Sequence, residues 1–243
     1  MIMNNSKITI LKSGSIYFFY RPKLKNNEEV QKFLVVLSSQ AKKYHVLVIG
    51  KKQLPVETKD KYFLFVEAVK NSKTELLENL KEEKHRVGKG EATDPAAHCL
   101  AEGKFIIAKH ENHTHFVYQI IKPFQLKEIQ QEFNLQKEDD YLINVKNPHA
   151  ETPPGVGLSE KQKANYPLNL QEKFANYRFI PLDPANFLDY PGTELLLINK
   201  RKKDFIQKEE QLKKCLAEIK IIDLVKEFAK IADPEIFFPL KES

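Results

Sequence analysis

The densest group of side chains that could perform chemistry is formed by His110, His113 and His115, which fall in one short polar stretch. Residues 105–107 and 116–120 on either side are rich in β-branched and aromatic side chains, as is typical of two strands joined by a turn. Alternate residues of a strand share a face, so His113 and His115 would project together and His110 could converge on them. Neutral imidazoles are good zinc ligands. The spacing supports a divalent metal site as one hypothesis, beside the plainer one of solvated or partner-contacting histidines.

Other patterns give little support for catalysis. Cys99 is a candidate nucleophile, but its sequence neighbour His98 would point to the opposite face of a strand, so another histidine would have to act as the base. The glycine-rich motifs that cradle phosphate are missing, and the chain has only 8 glycines. The paired carboxylates lie in charge-rich segments that are typical of solvated faces. We therefore assign no catalytic residue, and the only cofactor that the sequence suggests is a divalent metal at the three histidines.

The net charge of +6 would favour anionic partners. A cluster at the end of the last apolar strand pattern, formed by Lys200, Arg201, Lys202 and Lys203, is a candidate anion-binding site. Aromatic residues in the segment 17–21 could also stack on the bases of single-stranded nucleic acid. Most of the basic residues are lysines, however, whereas recognition of phosphate and guanine leans on arginine. Nucleic-acid binding is therefore a third hypothesis and is not favoured.

The elements that must position these residues are mainly short apolar runs. Two of them, 33–37 and 45–49, are separated by a short polar link and are expected to pair as a hairpin whose strands are covered on both faces. Residues 82–103 lose apolar periodicity, which predicts a long exposed loop. Strands are predicted at 15–20, 33–37, 45–49, 62–69, 105–107, 116–120, 141–146, 178–181 and 194–199, and short helices at 75–80 and 124–133.

The C-terminal part of the chain changes pattern. From Lys203 to Ala232 apolar residues follow a helical stripe with lysines and glutamates opposite, which predicts a long amphipathic helix followed by an apolar tail. A helix of about 28 residues would extend about 40 Å, so it either lies across the sheet or reaches a partner. The candidate partner-binding residues are Leu212, Leu216, Ile219, Phe237, Phe238 and Leu240.

These elements together predict an α+β fold with a largely antiparallel sheet, short helices and the long C-terminal amphipathic helix. Residues 1–200 are expected to form the globular body, with a boundary between two halves at 82–103 as an alternative, and residues 201–243 to form the helix and tail. No apolar run approaches the length of about 18 residues that a membrane helix needs, so membrane insertion is not expected. The start of the chain lacks the pattern of a signal peptide, and Cys99 and Cys215 suggest no disulfide framework. A cytoplasmic location fits these features.

Four stretches carry a resemblance to known sequences. They are GSIYFFYRPKL at 14–24, the KHENHTHFVYQI hairpin, YLINVKNP, and FIPLDPANFLDYPGTELLLI. Together they resemble a bacterial family of uncharacterised proteins over residues 13–200. The resemblance implies a bacterial, cytoplasmic protein, carries no catalytic residue across, and implies that the helix from Lys203 onward is an addition to a commoner body.

The sequence thus favours a non-catalytic binding or adaptor protein that engages another protein, or a larger bacterial assembly, through its C-terminal helix and tail. A metal-dependent hydrolase that uses the three hairpin histidines is the first alternative. A nucleic-acid-binding protein that uses residues 17–21 and the cluster at 200–203 is the second.

Overall fold

The computed structural model describes residues 8–23, 26–39, 43–87, 90–151, 157–199 and 206–219. The strands are β1 Ile8–Lys23, β2 Asn26–Ser39, β3 Tyr44–Ile49, β4 Lys61–Lys70, β5 Glu83–Val87, β6 Gly90–Asp94, β7 His98–His110, β8 His113–Lys122, β9 Glu138–Lys146, β10 Phe179–Pro181 and β11 Glu194–Asn199. The α-helices are α1 Lys73–Leu80, α2 Glu128–Glu132, α3 Leu168–Gln171 and α4 Ile206–Glu218. No helix among these residues is long and apolar enough to cross a membrane.

Eight of the strands form a closed antiparallel barrel. Their order around the ring is β9, β11, β4, β3, β2, β1, β7 and β8, and pairing of β8 with β9 closes the ring. The short strand β10 extends the sheet beside the part of β9 that β8 leaves, and β5 pairs with β6 in a separate hairpin. Strands β1 to β4 are consecutive in this ring, as are β7, β8, β9 and β11, and the two sets join where β1 pairs with β7 and β4 pairs with β11.

The predicted α+β class is wrong, since the described chain is mostly strand and its helices are few and short. The predicted loop at 82–103 contains β5, β6 and the start of β7. Residues 83–94 are mostly polar and show no apolar alternation, so they carry no strand signal. The helix predicted at 124–133 is shorter in the structure, where α2 covers only Glu128–Glu132. Of the predicted long C-terminal helix, α4 is the part that falls within the described residues, and the segment beyond Ile219 lies outside them.

The barrel interior is filled by side chains. Alternate residues of each strand point inward, and the large aromatic rings of Phe18, Phe33, Phe105, Tyr118 and Tyr141 are almost completely buried there. Rings pack edge to face or offset, as between Phe18 and Tyr118, whose centroids are 5.2 Å apart. The interior is therefore a packed core.

Part of the outer barrel surface is also covered, which explains the continuous apolar runs of β2 and β3. Leu34 and Val36 of β2 pack outside the barrel against Leu76 and Leu80 of α1. The start of α1 is fixed by Ser72, whose hydroxyl accepts a hydrogen bond of 3.1 Å from the Glu75 amide. The predicted pairing of β2 with β3 and their burial on both faces are confirmed.

One end of the barrel is closed by residues 182–193, which we call the plug. The Leu182 amide donates to the Ile143 carbonyl of β9, and the plug exchanges two backbone hydrogen bonds with Val66 of β4. Phe187 at its centre is completely buried in the core. Gly192 has a φ of +85°, and a Cβ there would lie 2.1 Å from the Gln162 carbonyl oxygen, so the turn back into β11 requires glycine. The plug places its polar residues at the mouth of the barrel.

Candidate functional site

Charged side chains gather where the plug meets the strand ends. We call this group the plugged-end cluster, and its members are Lys12 of β1, Lys43 and His45 at the start of β3, Lys109 of β7, and Asp183 and Asp189 of the plug. Each of the three strands has this end at the plug because neighbouring strands are antiparallel. The described fold thus brings six titratable groups from three strands and the plug to one barrel end.

His45 and Asp189 form the inner part of this cluster. His45 faces the interior on the same side of β3 as Leu47, and its side chain is 0% exposed. Its Nε2 atom donates a hydrogen bond of 2.8 Å to Asp189 Oδ1. Burial lowers the pKa of His45, the positive charge of Lys12 lowers it further, and the Asp189 carboxylate opposes both effects. The imidazole is therefore neutral at pH 7 and holds the plug to β3.

Asp189 also faces two ammonium groups. Its Oδ2 atom lies 3.3 Å from Nζ of Lys43. The pKa of Asp189 is lowered: burial alone would raise it, but the hydrogen bond from His45 and the charges of Lys12 and Lys43 together outweigh burial. A carboxylate held in this way stays ionised at neutral pH.

Lys12 is the member of the cluster whose charge is least balanced by an opposite charge. It is half-buried, and burial lowers the pKa of its ammonium more than the nearby Asp189 carboxylate raises it. It follows a bulge at Leu11, where β1 slips by one residue against β7. Bulges re-aim side chains, and this one lets Lys12 pair across from Ile107, whose side chain faces the barrel interior.

The sequence interpretation missed this cluster. Its members are separated by up to 177 positions between Lys12 and Asp189 (189 − 12), and no local motif joins them. A weak signal is present at His45, because a polar residue at the start of the apolar run 45–49 must find a buried partner. The identity of that partner depends on how the plug crosses the barrel.

The structure places the three hairpin histidines on the outer face of the barrel. His110 and His113 are directly opposite each other across β7 and β8, and the rings of His110 and His115 have centroids 6.3 Å apart. His115 Nδ1 also lies 3.3 Å from Asp140 Oδ1. His110 and His115 are buried, whereas His113 is exposed. No three His, Cys, Asp or Glu side chains in the described part of the chain form a group able to hold a metal. Metal binding at this hairpin stays a prediction.

The predicted partner-binding residues of the helix contact the chain's own barrel. Leu212 and Leu216 of α4 are buried against Ile106, Ala108 and Val117 on the outer face of β7 and β8. Ile219 packs at the edge of the same contact. The other three residues of that prediction, Phe237, Phe238 and Leu240, lie outside the described residues, as do the anion-binding candidates Lys200, Arg201, Lys202 and Lys203.

Two further candidates from the sequence lie in the barrel wall. Within the aromatic segment 17–21, Tyr17, Phe18 and Phe19 are each at most 1% exposed, so they present no open surface for stacking bases. Burial raises the pKa of the Cys99 thiol to about 12, and the charge of Glu102 adds to this shift. A thiol with so high a pKa is a poor nucleophile at neutral pH.

An open groove of about 510 Å³ lies beside the end of β9 and is lined by Asn147, His149, Arg178 and neighbouring residues. Asn147 is already engaged there, because its side-chain amide donates to the Tyr177 carbonyl and its oxygen accepts from the His149 amide. These hydrogen bonds fix the turn that lines the groove.

Comparison of the chain with known protein families, with curated proteins and with solved structures finds no match.

Proposed function

We propose that the chain is a non-catalytic protein-binding or adaptor protein, a subunit of a larger bacterial assembly, that engages its partner through the C-terminal helix. The observation that carries the proposal is the position of α4, which lies outside the closed barrel and whose described side chains contact its outer face. The packed interior leaves recognition to the outer surface and the barrel ends.

The attachment of α4 differs from that of the barrel strands. Among the described side chains of α4, Leu212 and Leu216 are buried in the apolar contact, and Cys215 and Ile219 are partly buried there. Lys104 Nζ donates to the Leu216 carbonyl at 3.2 Å, and Lys213 lies 3.1 Å from Glu138 in an exposed ion pair. Such exposed pairs contribute at most about 1 kcal/mol. The helix can therefore leave the barrel without breaking any strand pairing.

The cost of releasing α4 is within the reach of a binding partner. Full burial of two leucine side chains stabilises by about 3–6 kcal/mol. A partner with an apolar groove can bury the same leucine side chains and so compensate for their loss from the barrel surface. Amphipathic helices are usually recognised in this way. Binding would then compete with docking of Leu212 and Leu216 on the barrel.

Two helix variants separate recognition by this stripe from general effects of charge. Leu216→Asp places a carboxylate on the barrel-facing stripe, and Lys214→Asp places the same group on the exposed face of the same helix. In cross-linked pull-downs from a bacterial lysate, we expect the full chain and Lys214→Asp to recover the same partner and Leu216→Asp to lose it.

A chain that ends at Arg201 provides the complementary test. Circular dichroism and cooperative unfolding establish first that the shortened barrel is folded. If that folded chain, or Leu216→Asp, recovers every partner of the full chain, the C-terminal helix is not the recognition element and the proposal is wrong.

A further inference from the structure

The described members of the plugged-end cluster carry one more positive charge than negative charge. Asp183 pairs with Lys109 at 2.7 Å, and Asp189 pairs with Lys43 while it accepts a hydrogen bond from neutral His45. Lys12 has no hydrogen bond or ion pair with any described residue. Three lysines against two aspartates leave a net charge of +1 (3 − 2) at this mouth.

A buried hydroxyl lies beside Lys12. Ser39 is on the inward face of β2, in the alternation that includes Val35 and Leu37. It is 7% exposed, and its Oγ atom has no hydrogen-bond partner within the described ranges. Most buried hydroxyl groups do have a partner, so this one is a donor with unused capacity.

The strand register brings these groups together. Ser39 pairs with Gly14, so Lys12, two positions further along β1, is its diagonal neighbour at roughly 7 Å. His45 pairs with Leu37, two positions before Ser39, and its Nδ1 atom is buried without a hydrogen bond of ordinary geometry. Three adjacent strands thus present an ammonium, a hydroxyl and an imidazole at one barrel end.

We propose that this end of the barrel binds a small oxyanion, with the Lys12 ammonium as its main ligand and the Ser39 hydroxyl as a hydrogen-bond donor. A half-buried ammonium is unfavourable unless an opposite charge accompanies it, and the single excess charge matches a singly charged oxyanion. The nearest described carboxylate, that of Asp189, is already paired with Lys43 and hydrogen-bonded by His45.

This site is distinct from a simple latch between plug and barrel. The latch is complete with His45, Asp189, Lys43 and the pair of Lys109 with Asp183. Neither Lys12 nor Ser39 contributes a hydrogen bond to it. The site is also independent of the proposed function, because no residue of α4 belongs to it.

Isothermal titration of the full chain with sodium acetate and with inorganic phosphate, at pH 7 and constant ionic strength, tests this inference. Lys12→Met removes the proposed ligand, and Lys51→Met removes an exposed lysine at the opposite end of the barrel as the matched control. We expect saturable one-to-one binding to the wild type and to Lys51→Met, at least about tenfold weaker in Lys12→Met, because hydrogen bonds to charged groups contribute that much. Binding of acetate alone identifies a carboxylate ligand, and binding of phosphate alone identifies a phosphate ligand.

Ser39→Ala gives a second measurement, with an expected loss of about threefold or more in affinity. Lys12→Met should fold, because Lys12 has no hydrogen bond or ion pair with a described residue. The unfolding midpoint of the variant checks this. If Lys12→Met does not fold, Lys12→Gln is measured in its place. The proposal is overturned if neither anion binds the wild type saturably, or if the neutral variants at position 12 bind as tightly as the wild type.

Discussion

At the scale of single residues, the environment of His45 predicts how stability depends on pH. The folded-state pKa of His45 lies below its ordinary value of 6.5, mainly because of burial. Well above pH 6.5 the imidazole is neutral in both states and adds no pH dependence. As the pH falls below 6.5 the unfolded chain takes up a proton that the folded chain resists, so folding stability decreases, by at most about 1.4 kcal/mol per pH unit from this residue.

Asp189 acts in the same direction at lower pH. Its folded-state pKa is below the ordinary value of 3.8, so its contribution is fully present above that pH and is lost as the pH falls through the folded pKa. We expect His45→Gln to flatten the pH dependence between pH 6.5 and 5, while the dependence below pH 4 persists. Urea unfolding at stepped pH measures both regions. An unchanged slope between pH 6.5 and 5 in His45→Gln would contradict the assignment to this imidazole.

The buried pair of Lys146 and Glu194 gives a second prediction for single residues. Their charged atoms are 2.6 Å apart and both side chains are at most 2% exposed, while the other Glu194 oxygen accepts from the Leu158 amide. Lys146→Met leaves a buried carboxylate without its ammonium and should lower the free energy of unfolding by about 3–5 kcal/mol. Adding Glu194→Gln removes that charge but keeps an acceptor for Leu158, so the double variant should be more stable than Lys146→Met. Denaturant unfolding of the four-member cycle measures the coupling, and additive effects would argue against it.

At the scale of elements, Arg21 joins β1 to the end of α1. Its guanidinium donates to the carbonyls of Asn79 and Lys81 at 3.0 and 3.1 Å and also to the carbonyl of Pro95. Helix C-termini leave such carbonyls without intrahelical partners, and a cation there is favoured by the helix dipole. Arg21→Lys keeps the charge but loses the planar fork, so we expect a loss of about 2 kcal/mol in unfolding free energy.

Hydrogen exchange locates that effect within the fold. In Arg21→Lys the amides of α1 and of the β5–β6 hairpin should exchange faster, while those of β8 and β9 change only with global stability. The control Lys32→Arg exchanges one basic group for the other in an exposed ion pair with Glu67 on the same barrel. Equal destabilisation by the two variants would show that the fork at Arg21 has no special role.

The sequence predicts elements well where a strand is covered on both faces. The apolar runs at 33–37, 45–49 and 194–199 lie in β2, β3 and β11, because burial on both faces removes polar residues from the pattern. The hairpin of β7 and β8 was also evident from its aromatic and β-branched strands. The polar hairpin of β5 and β6 could not be predicted in this way, since its sequence lacks the alternation of apolar and polar residues that marks a strand.

At the scale of the whole molecule, closure of the barrel is the feature that local patterns cannot reveal. The pairing of β1 with β7 joins Phe18 to Ala101, and the pairing of β8 with β9 joins His115 to Leu142. Neither pairing can be predicted from the spacing of residue types along the sequence. The plugged-end cluster likewise depends on contacts between residues distant in sequence, because Asp189 meets His45 and Lys43 only when the plug lies across the barrel end. Neither the barrel closure nor this cluster can therefore be predicted from local sequence patterns.

Closure also predicts that the barrel unfolds as one cooperative unit. Every strand of the ring pairs on both sides, and first-half strands such as β1 and β4 pair with second-half strands such as β7 and β11. Each half forms a four-stranded sheet, but the inward faces of both sheets share one hydrophobic core, so neither half can open without exposing that core to water. Far-ultraviolet dichroism and tyrosine absorbance should therefore give coincident denaturation curves. Refolding should take milliseconds to seconds, because the pairings of β1 with β7 and of β4 with β11 join strands that are distant in sequence. Two separated transitions, each confined by hydrogen exchange to residues on one side of 82–103, would instead show two independently stable halves.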